Sequence, residues 1–319
     1  MRRIGSVLLL GAGRMGQRHL AGLQAASVSV DIVDPAPVAR DLARAPGVRV
    51  FPSLAGLPVD RRYDAAISST TAAGRLEDFI QLVRMGVQNI LVEKPLEQSR
   101  QRTRDLISAA RDSEAAVWCN HYRRTLRSFD ELRTSPGPYF ISVNSGAIGL
   151  GCNGIHWIDF ALDLSGQGSG KLLFGEIDAL PIGSGRGAQY RDYGGRGLFA
   201  FPDGSRLYLS SAAQSSAPTV LSVVGPATHW IVDQQSDRAF IHARPAGVTH
   251  PTYAYGRDYG FEERHGLESA QLSTLTEAWV AALNDSREPP QPRISEVAAA
   301  YELLFDLLES GGERVFHFT

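Results

Sequence analysis

The chain has 319 residues, 43% of them hydrophobic, with a formal net charge of -2. That is enough apolar material for substantial cores; it excludes intrinsic disorder and offers no basic excess to attract nucleic acid or an anionic membrane. Two cysteines, Cys119 and Cys152, form no metal-type pair and no disulfide framework, and Met1–Leu10 lacks the length and cleavage pattern of a signal peptide, so a cytoplasmic protein without a metal site is expected.

Val7–Leu10 reads as a short buried strand, and Arg14–Ala26 shows helical spacing through Met15, Leu20 and Leu23. Val28–Val33 is a second strand, Pro37–Ala45 a helix stopped by Pro46-Gly47, Val48–Phe51 a third strand and Ala65–Ser69 a fourth. The helix Arg75–Met85 ends at Gly86; then come the strand Asn89–Val92, the helix Ser99–Ser113 and the strand Ala116–Cys119. Strands alternating with helices predict parallel βαβ units, so residues 1–121 are expected to form a doubly wound, Rossmann-type domain. After residue 121 the rhythm changes. A helix is predicted over Tyr122–Thr134, then strands at Tyr139–Ser145, Leu172–Asp178, Gly197–Phe201, Ser205–Ser211 and Val220–Gly225, with Pro202-Asp203-Gly204 as a hairpin turn. Ile155–Leu164, Leu272–Leu283 and Ile294–Leu308 read as helices, and Gly183–Gly197 as a long loop. Residues 122–319 are therefore expected to be an α+β domain with a mainly antiparallel sheet, its last helices free to pack back on the first domain.

Gly11-Ala12-Gly13-Arg14-Met15-Gly16 matches G-x-G-x-x-G. By composition alone this pattern recurs by chance about 0.3 times in such a chain, so the context carries the reading. Here it directly follows a strand and opens a helix. The first glycine permits the tight turn, the second lets backbone approach a pyrophosphate, the third lets helix and strand pack, and the helix N-terminus attracts the phosphates. Asp34, eighteen residues after Gly16 at the end of the second strand, suits the adenosine ribose hydroxyls and would repel a 2′-phosphate, favouring NAD over NADP. Arginine supplies nearly every cation; the only lysines are Lys94 and Lys171. A lysine retained in such a chain is a candidate for proton chemistry that arginine cannot perform.

Asn89-Ile90-Leu91-Val92-Glu93-Lys94-Pro95-Leu96 resembles the Glu-Lys-Pro signature of the Gfo/Idh/MocA oxidoreductases, named for glucose-fructose oxidoreductase and inositol dehydrogenase. The stretch Gly11–Leu20, with His19, is similar as well, and Gly154-Ile155-His156-Trp157-Ile158-Asp159 resembles that family's Gly-x-His-x-x-Asp segment. The resemblance implies cofactor contacts from Gly11, Gly13, Arg14, Met15, Gly16, Asp34, Ser69, Thr70, Glu93 and Lys94. It implies proton-handling roles for Lys94 and His156, and substrate contacts from Arg123, Asn153 and Asp159. The residues alone also allow a surface lysine at Lys94, a core histidine at His156, and a solvated helix start at Arg123 in place of a carboxylate or phosphate contact. The same two readings apply to Arg186, Arg191 and Arg196.

Two departures from the family pattern stand out. Cys152 occupies the place, four residues before His156, where an aspartate is usual, and Ser69-Thr70-Thr71-Ala72-Ala73 replaces a proline-containing turn. A histidine–aspartate proton relay at this position is therefore expected to be absent. The resemblance implies a nicotinamide-dependent enzyme acting on a CH–OH group of a small sugar, cyclitol or nucleotide sugar. The ending Val315-Phe316-His317-Phe318-Thr319 and the Cys152–His156 segment are similar to members that act on bacterial surface-sugar precursors. It also implies a homo-oligomer, dimer or tetramer, formed through the C-terminal sheet. Two rival readings are an NAD-retaining enzyme without net redox change, glycosidase- or epimerase-like, and a dinucleotide-sensing regulator. A regulator would need neither Lys94 nor His156.

Overall fold

A computed structural model describes residues 3–184, 186–248, 254, 256–267 and 271–319. Contacts divide the chain into two units: residues 1–125, 270–301 and 315–319 form the first, residues 126–269 and 302–314 the second.

In the first unit six strands, β1 (Ser6–Leu10), β2 (Ser29–Val33), β3 (Val48–Phe51), β4 (Ala65–Ser68), β5 (Asn89–Val92) and β6 (Ala116–Cys119), form a wholly parallel sheet in the order β3-β2-β1-β4-β5-β6. Helices α1 (Arg14–Ala25), α2 (Arg75–Arg84) and α3 (Arg100–Asp112) follow β1, β4 and β5, and Ser99 caps α3 by accepting from the Arg102 N–H. Burial is nearly complete along β1, β4 and β5, as expected when both faces of a parallel sheet are covered. Pro37–Arg44, expected as an ordinary helix, is a 3-10 stretch that buries only Ala39. The core includes Trp118, whose ring meets Trp279 edge-on at 5.9 Å.

The second unit opens differently from expectation. The single helix predicted over Tyr122–Thr134 breaks into 3-10 turns at Tyr122–Thr125, in the first unit, and Arg127–Phe129, followed by the short α4 (Asp130–Thr134). Leu126 is extended between the turns, and Arg133 Nη1 donates to its carbonyl at 2.8 Å. The break turns Phe129 inward against Phe160, 5.0 Å away, which outweighs the few lost helical bonds.

Strand β7 (Phe140–Ser145), helix α5 (Ile155–Ser165) and strand β8 (Lys171–Ile177) follow. The stretch expected as a long loop contains a two-residue ladder, β9 (Ile182–Gly183) with β10 (Arg191–Asp192), and the beginning of β11 (Gly195–Ala200); Gly185 lies outside the described residues. Strands β12 (Arg206–Ser211) and β13 (Val220–Val224) match the pattern, and the Pro202–Gly204 turn joins the antiparallel pair β11–β12. Three further strands, β14 (Thr228–Asp233), β15 (Arg238–Ala243) and β16 (Gly260–His265), were missed. Their outward positions carry the apolar Ile231, Phe240 and Phe261, and β16 puts Glu262 and Arg264 opposite the buried Ile241 and Ala239, which blurs the alternation. Cross-strand pairing decides them instead. The eight-stranded sheet runs β16-β15-β14-β13-β7-β12-β11-β8, antiparallel except for β7–β12. Helices α6 (Leu272–Asn284) and α7 (Ala298–Glu309) complete the chain, and α6 packs on α1 within the first unit. Among the described residues no helix is long and apolar enough to cross a membrane.

Candidate active site

The glycine turn lies where β1 meets α1. Gly11 sits at φ +85°, and a Cβ at Gly16 would stand 2.1 Å from the Gly11 carbonyl oxygen, so side chains are excluded at both positions. Around Gly13 the space is open, and α1 begins there with no capping side chain and no acid in its first turn. This arrangement fits an anion at the helix N-terminus and, with it, a dinucleotide pyrophosphate. Arg14 is exposed and Met15 half-buried at the same edge. Asp34 is brought against the turn, with Oδ2 accepting from the Ala12 N–H at 2.6 Å and Oδ1 from the Ala36 N–H at 2.8 Å. Ser69 closes the turn from below, its hydroxyl directed at the carbonyls of Leu10 and Gly11 at 2.9 and 2.8 Å. The Thr70 hydroxyl is directed at Asp78 Oδ2 at 2.7 Å. Burial raises the Asp78 carboxyl above its ordinary range, and the Thr70 bond opposes that rise.

Lys94 follows the C-terminal end of β5, the end at which open α/β sheets place ligands, and the Lys94–Pro95 peptide is cis. The backbone on either side of it is gripped by a residue the sequence reading missed. Arg75, 2% exposed, donates to the carbonyl of Glu93 at 2.7 Å, to that of Pro95 and to that of Thr70 at 2.5 Å. A cation at the first position of a helix is poorly matched to the dipole, and that mismatch was the available signal of another duty. Glu93 turns inward. Its carboxylate is held by His19 Nε2 at 2.9 Å, by Asn120 Nδ2 at 2.5 Å and by the Lys94 N–H at 3.2 Å; His19 Nδ1 in turn meets Thr276 Oγ1 at 2.8 Å. Burial alone would raise the Glu93 carboxyl. The His19 bond and the charges of His19, Lys94 and Arg75 outweigh it and bring the pKa to about 2. Glu93 therefore ties α1, β5, β6 and α6 together beneath the lysine. Arg123 is buried, its guanidinium carbon 5.0 Å from the Tyr122 ring centroid, and burial lowers its pKa.

In the second unit Leu150–Gly154 form a π-helical turn that runs directly into α5, placing Cys152, Asn153, His156 and Asp159 on one continuous helical segment. His156 is 3% exposed and Asp159 fully buried, while Cys152 and Asn153 are half-buried. The Asn153 amide donates to the Ile148 carbonyl. Asp192, from β10, lies against the start of this segment; it was not singled out in the sequence, and its stretch was read as loop. Nothing local in the sequence marks it. Arg191 and Arg196 pair with Glu313 at 3.0 Å and Glu176 at 2.7 Å.

Residues 6–121 match a family model described as the oxidoreductase family with an NAD-binding Rossmann fold. No curated protein matches the chain. Solved structures share the fold over nearly the whole length. UDP-N-acetylglucosamine 3-dehydrogenase from Acidithiobacillus ferrooxidans is 15% identical, with 98% of each chain covered and a TM-score of 0.74. Levoglucosan dehydrogenase, in complex with NADH and L-sorbose, is 14% identical, again with 98% of each chain covered and a TM-score of 0.79. GenD2 from gentamicin A biosynthesis, in complex with NAD, is 20% identical over 98% of this chain and 95% of its own, with a TM-score of 0.73. Motif, topology and family match coincide over the same residues: across 6–121 the chain carries the NAD-binding Rossmann domain of the Gfo/Idh/MocA oxidoreductases.

Proposed function

We propose that the protein is a cytoplasmic NAD-dependent dehydrogenase acting on a secondary alcohol of a sugar, cyclitol or nucleotide-sugar derivative. The observation that carries this reading is Lys94 at a parallel-strand end, its N–H on the Glu93 carboxylate and the flanking Glu93 and Pro95 carbonyls gripped by Arg75, in the unit that contains the glycine turn. The names of the structural neighbours, with UDP-N-acetylglucosamine and levoglucosan among their substrates, support the substrate class. NAD, when bound, supplies the two-electron acceptor. Lys94 stabilises charge developing on the substrate oxygen, and Lys94 or His156 takes the hydroxyl proton near neutral pH. Arg123, Asn153 and Asp159 are assigned to substrate contacts, and a precursor of a bacterial surface sugar is the favoured substrate. A screen of sugars, sugar acids and nucleotide sugars for NADH formation or consumption tests the proposal; silence across all three classes with folded, NAD-binding protein would refute it.

Asp34 sets the cofactor preference. Calorimetric titration is expected to show NAD binding at least about tenfold tighter than NADP, and Asp34→Ala should narrow that gap by weakening NAD. Tighter NADP binding by the wild type would overturn the assignment.

A homo-oligomer is proposed through the outer face of the eight-stranded sheet. Register places Phe174, Leu198 and Tyr208, then across Ser142 and Ser222 Ile231 and Phe240, in one cross-strand row, and Phe140, Val224, His229, His242 and Phe261 in another, with Phe140 and Phe261 50% and 61% exposed. Such a face fits a second copy of the same sheet. Light scattering at micromolar concentration should give a multiple of the chain mass, and a Phe140→Glu/Phe261→Glu variant should give the monomer. A monomeric wild type sinks this proposal.

A further inference from the structure

The turn Leu150–Gly154 supplies no side-chain cap of its own, yet the first N–H groups of a helix have no intrahelical acceptors. Asp192 provides them from forty residues downstream. Its Oδ1 accepts from the Gly151 N–H at 2.8 Å and its Oδ2 from the Cys152 N–H at 3.0 Å, and the Cys152 thiol bonds the same carboxylate. The Tyr193 N–H also meets Oδ1 at 2.8 Å, while the Leu150 N–H meets the Tyr193 carbonyl at 2.8 Å, so helix start and strand are laced together. Gly149, at φ +79°, makes the room: a Cβ there would stand 2.1 Å from Asp192 Oδ2. Asp192 is 7% exposed, and burial raises its carboxyl above the ordinary range against the opposing effect of the thiol and the three N–H groups.

His156 lies one helical turn beyond Cys152. Asp192 and His156 are themselves both buried, at 7% and 3% exposure, so a charge on the carboxylate acts on the imidazole with weak screening by water. We propose that Asp192 is the positioning residue of His156. It fixes the helical register of the imidazole and holds a negative charge one turn away, at the point where the helix itself offers only Cys152. This rests on the assignment of His156 as the proton-handling group. A nearby carboxylate favours the imidazolium, so it makes His156 the stronger base toward a substrate hydroxyl. The other titratable groups around Asp192 are the Cys152 thiol, Tyr193 with its Glu313 and Arg191 partners, and Asp178, whose Oδ2 lies 2.3 Å from where a Cβ of Gly194 would stand; Asp159 lies further along the helix.

The test is an NMR titration of 13C-histidine-labelled protein without substrate, with His156 assigned by the loss of its signal in His156→Gln. In the wild type its shift should show two inflections, its own and one from the titration of Asp192. Asp192→Asn should remove the inflection that belongs to Asp192 and lower the His156 pKa by about half a unit or more. Asp192→Asn/Cys152→Asp moves the carboxylate onto the helix and should restore at least half of that fall. A single inflection in the wild type overturns the proposal, and decides the matter alone if Asp192→Asn does not fold. An unchanged His156 pKa in folded Asp192→Asn overturns it equally, as does a folded swap that restores nothing. On an identified substrate, Asp192→Asn should lower kcat by about tenfold or more with KM nearly unchanged and shift the pH profile; unchanged kcat and pH profile overturn the positioning role. If His156→Ala retains full turnover, the proton-handling assignment falls, while the titration still reads the coupling to Asp192.

Discussion

Lys94→Ala should lose about two to three orders of magnitude in kcat/KM on the true substrate while binding NAD within a few-fold of the wild type. The expected separation follows from the fold. The dinucleotide cradle is built from the β1–α1 turn and Asp34, whereas Lys94 projects from the end of β5. Its proposed role is to stabilise developing alkoxide, and removal of comparable electrostatic donors costs about 2.7–4 kcal/mol of transition-state stabilisation. Lys94→Arg should recover little, because the guanidinium is larger, planar and unable to release a proton at working pH. Steady-state kinetics together with calorimetry check both halves. Near wild-type turnover by Lys94→Ala would reduce the lysine to a structural role.

Glu93→Ala should be the most destabilising single substitution considered in the first unit, by about 3–5 kcal/mol, because it leaves His19 and the Asn120 amide without their buried acceptor. Glu93→Gln, which keeps shape and one acceptor but loses the charge, should cost less. Chemical denaturation monitored by Trp118 and Trp279 fluorescence measures both. The same carboxylate sets an acid limit. Its folded pKa of about 2 lies below the ordinary 4.5, so its contribution is fully present above pH 4.5 and is lost as pH falls toward 2. That window corresponds to roughly 3 kcal/mol at 1.36 kcal/mol per pKa unit, and in Glu93→Gln the acid-dependent loss should shrink by about this amount. Equal stability of Glu93→Ala and wild type would mean that the network is not an energetic tie.

The parallel strands of the first unit were legible because each is a short apolar run bounded by its own turn residues and followed by a helix with 3.6-residue spacing. Hydrophobic period and glycine placement are local properties, and together they determine this half of the fold. The same locality put Gly11–Gly16, Asp34 and the strand end at Lys94 forward together as one candidate dinucleotide site. The surroundings of Lys94 were not readable. Arg75 grips backbone carbonyls 18 and 20 residues away, and His19 reaches Glu93 across 74. No sequence period encodes which of many buried polar groups will meet.

The second unit shows the opposite balance. β14, β15 and β16 mix apolar residues on outward positions (Ile231, Phe240, Phe261) with charged ones on the inward positions of β16 (Glu262, Arg264), so only the ladder to a neighbouring strand makes them strands. The helix expected at Tyr122–Thr134 breaks because Phe129 gains more from burial than the helix loses in hydrogen bonds. The sequence alone determined the Rossmann domain, its cofactor class and the helix that carries His156, all from patterns within a few turns of chain. Only the tertiary structure decided that a carboxylate stands at the start of that helix after all. Asp192 arrives there through a strand pairing forty residues distant, where Gly149 leaves it room and two unsatisfied N–H groups require an acceptor.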